Sequence, residues 1–357
     1  MTRMTRHASG KVARGKTTPD EASVTSTEAR RLFADWADVP ALVLAVSGGP
    51  DSTALMFLAA KWRSSLKRGP RLLVVTVDHG LRKEAAAEAK AVASVARALK
   101  LEHAILRWRG PKPSTGLPAA AREARYRLLA SAAQKAGAKH ILTGHTSDDQ
   151  AETLLMRMSR GSGLAGLGAM QRQAVRGDVV IGRPFLGIAK ARLVATLLKA
   201  KIGSADDPTN RDLSFTRPRF RQLMPLMARE GLDSRNLGRL AQRLSRANAA
   251  LEAVVGVMER AIGRVGAGDT IEIDARAFAT LPDEIALRLL GRAVSAVGHE
   301  GPVELAKLES LLAAVQAPLR ADRAGGRVKL TLAGALVACA NDCITVEAAP
   351  PRRSKRS

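Results

Sequence analysis

The stretch that most limits how this chain can fold is Leu42-Val43-Leu44-Ala45-Val46, followed at once by Ser47-Gly48-Gly49-Pro50-Asp51-Ser52. A short, continuous apolar run is what a strand covered on both faces requires. Beyond the hexapeptide, Leu55, Leu58, Ala59, Trp62 and Leu66 recur on one face of a helix expected over 53–66. A buried strand, a glycine turn and a helix N-terminus together make an anion cradle. Glycines let backbone N–H groups approach phosphate oxygens, and the helix dipole favours their charge. No Gly-Lys-Ser/Thr closes the loop, so it is not the ordinary nucleotide P-loop. A formal match to that motif does occur from Gly10 to Thr17. It has no apolar strand before it and only Thr18-Pro19-Asp20 after it, so we treat it as accidental.

The pattern repeats. Apolar runs at 72–77, 103–108 and 140–144 alternate with helical patterns at 85–100 and 118–136. This is a βαβ series, which joins right-handedly into a parallel sheet. The fold expected is α/β: a doubly wound, mainly parallel sheet with helices on both faces, then a smaller, mostly helical region ending in short strands. A fifth run at 179–181 precedes a helix over 188–200, and 204–221 is polar and basic. Helical patterns follow over 222–262, 283–297 and 303–315, with a short strand at 270–273 and two or three strands over 328–346. The division expected is a disordered basic tail at 1–27, a nucleotide-binding domain at 28–222, a second region at 223–350 and a basic tail at 351–357.

Ligands on such sheets sit beyond the carboxyl ends of the strands. The first strand ends in the glycine loop, the second in Asp78-His79-Gly80-Leu81-Arg82, and the fourth in Gly144-His145. At the first, Ser47, Ser52 and backbone N–H groups are expected to hold a pyrophosphate. Asp51 would repel phosphate without a divalent ion between them, and Mg²⁺ is the ion expected. At the fourth, Asp148 or Asp149 suits the N-cap of the next helix. Asp149 and Glu152 are three apart and share a helical face, a pairing that suits a metal or a cationic substrate. His145 has no second His or Cys at zinc-ligand spacing.

Arginine marks three further places. Arg122 and Arg125 lie on one face of the helix before the fourth strand. Arg157 and Arg160 flank a glycine-rich loop running to Leu167, of a kind that touches phosphate. Arg217, Arg219 and Arg221 alternate, and an extended stretch there would line all three along one side as a strip for an RNA backbone. The whole chain carries 57 Lys and Arg against 33 Asp and Glu, a net +24 that draws it toward nucleic acid. Aromatic residues are too few for a broad base-stacking surface. No apolar run approaches the roughly 18 residues of a membrane span. Cys339 and Cys343, the only cysteines, suit a reducing compartment and match no metal or redox spacing.

Taken in order, SGGPDS (47–52), VDHGLR (77–82), AREARY (121–126), GHTSDDQAET (144–153), RGSGLAGL (160–167), RPFLGIAKARL (183–193) and DDPTNRD (206–212) resemble the tRNA-Ile lysidine synthetases. These are PP-loop ATP pyrophosphatases, and the similarity runs from about Ala41 to Arg221. The resemblance implies an AMP-forming ligase that makes a carbon–nitrogen bond. ATP would adenylate the C2 carbonyl oxygen of cytidine 34 in a CAU-anticodon tRNA-Ile and release pyrophosphate. L-lysine would then displace AMP to form lysidine, changing decoding from AUG to AUA.

The resemblance also implies roles. Ser47, Gly48, Gly49, Pro50, Asp51 and Ser52, with Asp78 and His79, would hold ATP. Asp51, Asp149 and Arg122 would be catalytic, with Asp51 on Mg²⁺. Asp149, Glu152 and Arg125 would hold lysine, with Arg122 and Arg125 serving the α-phosphate or the lysine carboxylate. Arg160, Arg217, Arg219 and Arg221 would face tRNA, with the C-terminal region gripping it by analogy. A bacterial cytoplasm is the expected location, an organelle the lesser alternative; no membrane partner is expected, and a homodimer is left open. Two positions depart from the family pattern: Pro218 stands where Asn is common, and Pro118 or Ala119 replaces an acid. A PP-loop tRNA thiolase would use cysteines near its site, and both cysteines here lie outside the sheet domain. A non-catalytic basic RNA-binding protein would have lost Asp51, Asp149 or the glycines, and all are present.

Overall fold

The computed structural model describes residues 22–80, 85–205, 212, 216–320, 328–340 and 342–350. The P-loop-like string at 10–17, most of the tail expected at 1–27, Leu81 and Arg82, residues 206–211 and the tail at 351–357 lie outside the described residues.

Regular structure begins before the domain boundary expected at residue 28. Helix α1 (Ser26–Phe33) starts in a capping box: the Glu28 N–H donates to Thr25 Oγ1 at 3.2 Å, and the Thr25 N–H donates to Glu28 Oε2 at 2.9 Å. Val24 is buried, and its N–H donates to Thr196 Oγ1 at 2.8 Å. Phe33 is fully buried, stacked on Trp62 at 5.2 Å and edge-on to Phe185 at 5.9 Å. Residues 22–27 therefore belong to the fold.

The α/β series follows: β1 (Ala41–Ala45), α2 (Pro50–Ser64), β2 (Arg71–Asp78), α3 (Ala85–Ala98), β3 (Glu102–Arg107), α4 (Leu117–Lys135), β4 (His140–Thr143) and α5 (Ser147–Met158). A short α6 (Leu164–Leu167), the hairpin of β5 (Gln173–Arg176) and β6 (Val179–Gly182), and α7 (Lys190–Ala200) complete it. The strands order as β3-β2-β1-β4-β6-β5, parallel throughout except for the antiparallel β5–β6 edge. The continuous apolar runs are explained by two covered faces. Leu42 and Leu44 pack with α1, α2, α3 and α7 residues such as Phe33, Leu55, Val92 and Leu193, whereas Ala41 and Val43 pack with Tyr126 and Leu129 of α4. Strand order reverses between β1 and β4, and a crevice opens there beyond their carboxyl ends.

Helices α8 (Thr216–Arg229) and α9 (Ser234–Ile262) come next. The extended basic strip expected at 217–221 is instead the first turns of α8. Pro218 sits in the first turn, where a missing N–H costs no helical bond. The remaining elements are β7 (Gly263–Val265), β8 (Ile271–Asp274), α10 (Ala275–Ala279), α11 (Asp283–Val297), α12 (Leu305–Arg320), β9 (Val328–Leu332), β10 (Ala335–Ala340) and β11 (Cys343–Ala348). They form an antiparallel sheet of order β7-β8-β11-β10-β9, packed against Phe278, Leu289, Leu290 and Val315 of the helices.

The chain divides into two compact units, and the division differs from the expected cut near 222. One runs to Met156 and resumes over Met170–Ala241; the other combines Arg157–Ala169 with the chain from Gln242. The glycine-rich loop carrying Arg160 thus belongs with the second unit. The loop is braced within itself by Arg157, whose Nη1 donates to the carbonyls of Gly166 and Ala169 at 2.6 and 2.8 Å.

Phe33→Ala removes the ring that joins α1, α2 and the loop after β6. Large-to-small core changes of this kind cost about 3–5 kcal/mol. Urea unfolding followed by circular dichroism should show a loss of that order; a loss under about 1 kcal/mol would place α1 outside the core.

Candidate active site

The glycine loop turns on two conformations. Gly48 has φ +99°, and Gly49 is the extended N-cap of α2, with Pro50 opening the helix. The Ser52 hydroxyl donates to Gly49 O at 3.0 Å and accepts the Ser47 N–H at 3.1 Å. The Ser47 and Ser52 hydroxyls lie 3.2 Å apart, and Thr53 Oγ1 donates to Gly48 O at 3.1 Å. Ser52 therefore shapes the loop, and the helix-start amides of Asp51 and Ser52, which have no intrahelical acceptor, are able to donate to an anion.

The loop after β4 is pressed against this helix start. A Cβ on Gly144 would stand 2.7 Å from Asp51 O and 3.1 Å from Ser52 N, so the two segments meet backbone to backbone. Helix α5 begins in a second reciprocal cap: the Thr146 N–H donates to Asp149 Oδ2 at 2.9 Å, and the Asp149 N–H reaches Thr146 Oγ1 at 3.4 Å. Asp148 Oδ2 accepts the Lys190 N–H at 2.9 Å, tying the start of α7 to the start of α5. Both aspartates thus use a helix start, and both still line a cavity.

That cavity, of about 240 Å³, is lined by Asp51, Thr146, Asp148, Asp149, Glu152, Lys190, Arg221, Met224 and Ser234. Four carboxylates face two cations. Glu152, whose side chain is only 4% exposed, is gripped by Arg221: Nε is 2.5 Å from Oε1 and Nη2 is 3.3 Å from Oε2. Burial pushes the Glu152 carboxyl up, and the Arg221 hydrogen bond only partly offsets this. Lys190 Nζ lies 3.5 Å from Asp51 Oδ2. Burial raises the Asp51 carboxyl to about 6 against the pull of Lys190, and Asp149 adds to the rise. Asp51 Oδ1 is buried without a hydrogen-bond partner.

A cationic lobe lies on α4. Arg122, Arg125 and Arg176 stand 5.1, 5.2 and 4.5 Å from the centre of the buried Tyr126 ring. Burial works to raise the Tyr126 phenol, but Arg125, Arg122 and Arg183 outweigh it and bring it down. His145 lies within the field of both lobes. Its Nδ1 is 2.8 Å from Thr143 Oγ1, whose proton goes to Gly182 O at 3.3 Å, so Nε2 keeps its lone pair. Burial, with Arg183, Arg125 and Arg217, pushes His145 down to about 3. The ring is neutral at physiological pH, an acceptor and not a cation.

Asp78 is occupied locally: Oδ1 accepts the Gly80 N–H at 2.8 Å, and Arg107 Nε stands 3.2 Å from Oδ2. His79 packs edge-on to Trp108 at 6.2 Å. Helix α8 carries Arg217 and Arg221 four residues apart on one face, with Arg219 off that face. Arg160 sits in an exposed turn of the second unit. The residues that sequence reasoning gave no role are Lys190, Arg176, Arg183 and Tyr126. Lys190 had a usable signal, since it follows the carboxyl end of β6.

Comparison with known proteins decides the family. A PP-loop domain model matches residues 22–227. The tRNA(Ile)-lysidine synthase of Bradyrhizobium diazoefficiens is 57% identical over 351 residues, covering 94% of this chain and 97% of that protein. The chain belongs to the tRNA(Ile)-lysidine synthase family of PP-loop proteins. The Rhodopseudomonas palustris member is also 57% identical, over 94% of this chain and 98% of its own length. Among solved structures, a U34-tRNA thiolase from Methanococcus maripaludis shares the fold, with a TM-score of 0.54 at 15% identity, covering 62% of this chain and 77% of that one. Family membership makes this an ATP-using carbon–nitrogen ligase.

The raised Asp51 carboxyl carries a stability consequence. An acid held at about 6 in the folded chain, against an ordinary value of 3.8, stabilises the fold fully only below about 4, and that contribution is lost as pH rises through 6. Two units correspond to about 3 kcal/mol. Asp51→Asn should therefore melt higher than the parent at pH 8, with the gain vanishing by pH 4. A lower melting temperature at pH 8 would contradict the burial cost.

Proposed function

We propose that the protein joins L-lysine to the wobble cytidine of a CAU-anticodon tRNA-Ile in two steps. The C2 carbonyl oxygen of cytidine 34 attacks the α-phosphorus of ATP, an O–P bond forms and pyrophosphate leaves. The lysine ε-nitrogen then attacks C2, the C2–O bond breaks and AMP leaves, with one proton passing to the enzyme or solvent. The observation that carries this reading is the cavity in which four carboxylates stand beside a phosphate-binding helix start. An acidic cavity repels nucleotide phosphates and attracts an amine, so the site has room for two unlike substrates.

A lysine ε-amine has a pKa of about 10.4 and arrives as an ammonium. Asp149, held in its cap, binds that ammonium with Glu152, and the acid lobe is where the proton must be taken before attack. Arg221 is committed to Glu152 in the free protein, which gives it a part in shaping the lysine site; Arg217, Arg219 and Arg160 would face the RNA backbone. Arg122 and Arg125 neutralise the α-phosphate or the lysine carboxylate. The loop amides and the α2 dipole stabilise the departing pyrophosphate.

A magnesium ion fits this arrangement. Asp51 Oδ1 is a buried oxygen in need of a partner, and no three His, Cys, Asp or Glu side chains among the described residues are placed to hold one metal ion by themselves. Mg²⁺ is commonly held by one or two carboxylates together with substrate phosphates, which would leave Asp51 as the protein's ligand. When bound, the ion would offset charge on the phosphate chain. No helix among the described residues is long and apolar enough to cross a membrane. A bacterial cytoplasm is the location that this reading implies.

Incubation with α-labelled ATP, the CAU-anticodon tRNA and lysine should give labelled AMP and lysine incorporation that require all three. ADP as the only nucleotide product would overturn the reading. Asp149→Asn keeps an oxygen for the cap but loses the charge; it should lower lysine transfer by at least about 100-fold while filter retention of tRNA stays unchanged. Equal loss of tRNA binding would make Asp149 structural.

A further inference from the structure

We propose that Lys190 is a cation with two stations: on Asp51 while the site holds no nucleotide, and on the phosphate chain of ATP once a divalent cation takes Asp51. The inference rests on the ATP-dependent reading above and adds a positioning residue to it.

Two cations line the acidic cavity, and they are held differently. Arg221 grips Glu152 through two nitrogens, the shorter contact being 2.5 Å. Lys190 reaches Asp51 through a single contact of 3.5 Å, well beyond the roughly 2.7–2.9 Å of a charge-assisted hydrogen bond. Its side chain is 41% exposed, against 24% for Asp51. The backbone of Lys190, in contrast, is fixed: it opens α7, and its N–H is bonded to Asp148 Oδ2 at 2.9 Å. An anchored Cα with a loosely held ammonium on a four-carbon stem is a tethered, movable charge.

The charges around it give the movement a direction. Asp51, Asp148, Asp149 and Glu152 attract the ammonium, and Arg221 repels it. Asp51 lies in the first turn of α2, next to the amides that receive the phosphates. A divalent ion on the Asp51 carboxylate would face the Lys190 ammonium at close range, and the two repel. A bound triphosphate would supply the nearest new anion, and the starts of α2 and α7 both favour negative charge. Lys190 would then leave Asp51 for a phosphate oxygen. In the free protein it would keep the Asp51 carboxylate partnered while the ion is absent.

The test uses the full chain and two probes, Mn²⁺ alone and ATP with saturating Mn²⁺. Free Mn²⁺ is followed by paramagnetic resonance and nucleotide binding by calorimetry, with thermal melts as the check on folding. Lys190→Met should bind Mn²⁺ about 3-fold or more tighter without nucleotide, because the competing internal cation is gone. It should bind ATP about 10-fold or more weaker, the loss expected for one charge-assisted contact. Lys190→Arg, which retains charge and reach, should recover nucleotide binding to within about 3-fold and serves if the Met variant fails to fold. Weaker ATP binding with unchanged Mn²⁺ affinity would make Lys190 a plain phosphate ligand and overturn the proposal. Tighter Mn²⁺ binding with unchanged ATP affinity would make it a plain counter-ion, with the same result. Failure of the parent protein to bind ATP would instead undo the ATP reading itself.

Discussion

Two backbone segments meet at Gly144 with no room for a side chain between them, and the geometry of the site depends on that contact. A Cβ there would lie 2.7 Å from Asp51 O. The start of α2 and the end of β4 are thereby fixed relative to each other, helix-start amides on one side and acids on the other. The contact is possible because β1 and β4 are neighbours in register, Ala45 opposite Thr143. Each strand then turns away in its own loop. The switch in strand order creates the crevice, and the glycine closes it to contact distance.

Such closeness sets an electrostatic problem. Asp51, Asp148, Asp149 and Glu152 share one cavity, and like charges this near cannot all be ionised without compensation. Helix starts supply part of it, since Asp148 and Asp149 accept backbone N–H groups there. Arg221 and Lys190 supply the rest, one tightly and one loosely. Asp51 is the least compensated, with its carboxyl raised to about 6 and one oxygen without a partner. That is a cost to the fold at neutral pH, of the sort found where a group is kept ready for a ligand. The guanidiniums around Tyr126 are the counterpart of opposite sign. The first unit thus gathers carboxylates in one place and guanidiniums in another at the edge of one sheet.

The likeness to a U34-tRNA thiolase extends to the fold and not to the chemistry, as expected when one scaffold carries different sites. Cys339 and Cys343 here lie on β10 and β11 of the second unit's antiparallel sheet, where Cys339 is buried as a small apolar side chain. The second unit is held by its own core and by Arg288 and Arg292, which bridge α11 to Glu252 and Glu259 of α9 and Glu284 of α11 itself. It is therefore a folded body of its own, and the basic excess of the chain, +24, falls mainly on the first unit, which carries 39 basic and 20 acidic residues against 18 and 13 in the second.

Much was legible in the residues alone. Continuous apolar runs required a doubly covered parallel sheet, and the glycine loop and the acids stood out at the ends of the first and fourth of them. These are local consequences of periodicity, backbone freedom and charge, and the ordered motifs named the family. Tertiary structure decided the partnerships. Arg217, Arg219 and Arg221 alternate like a strand, yet Pro218 is harmless in a first helical turn, and the buried Glu152 carboxylate requires a charge partner that α8 brings as Arg221. The return of 157–169 to the second unit and the union of Arg176 with Arg122 and Arg125 over Tyr126 were likewise hidden. So was the pairing of Lys190 with Asp51. An ion pair between residues 69 or 139 positions apart leaves no periodic trace in the chain, because it is selected by the desolvation cost of the buried charge, which exists only once the fold has removed the water.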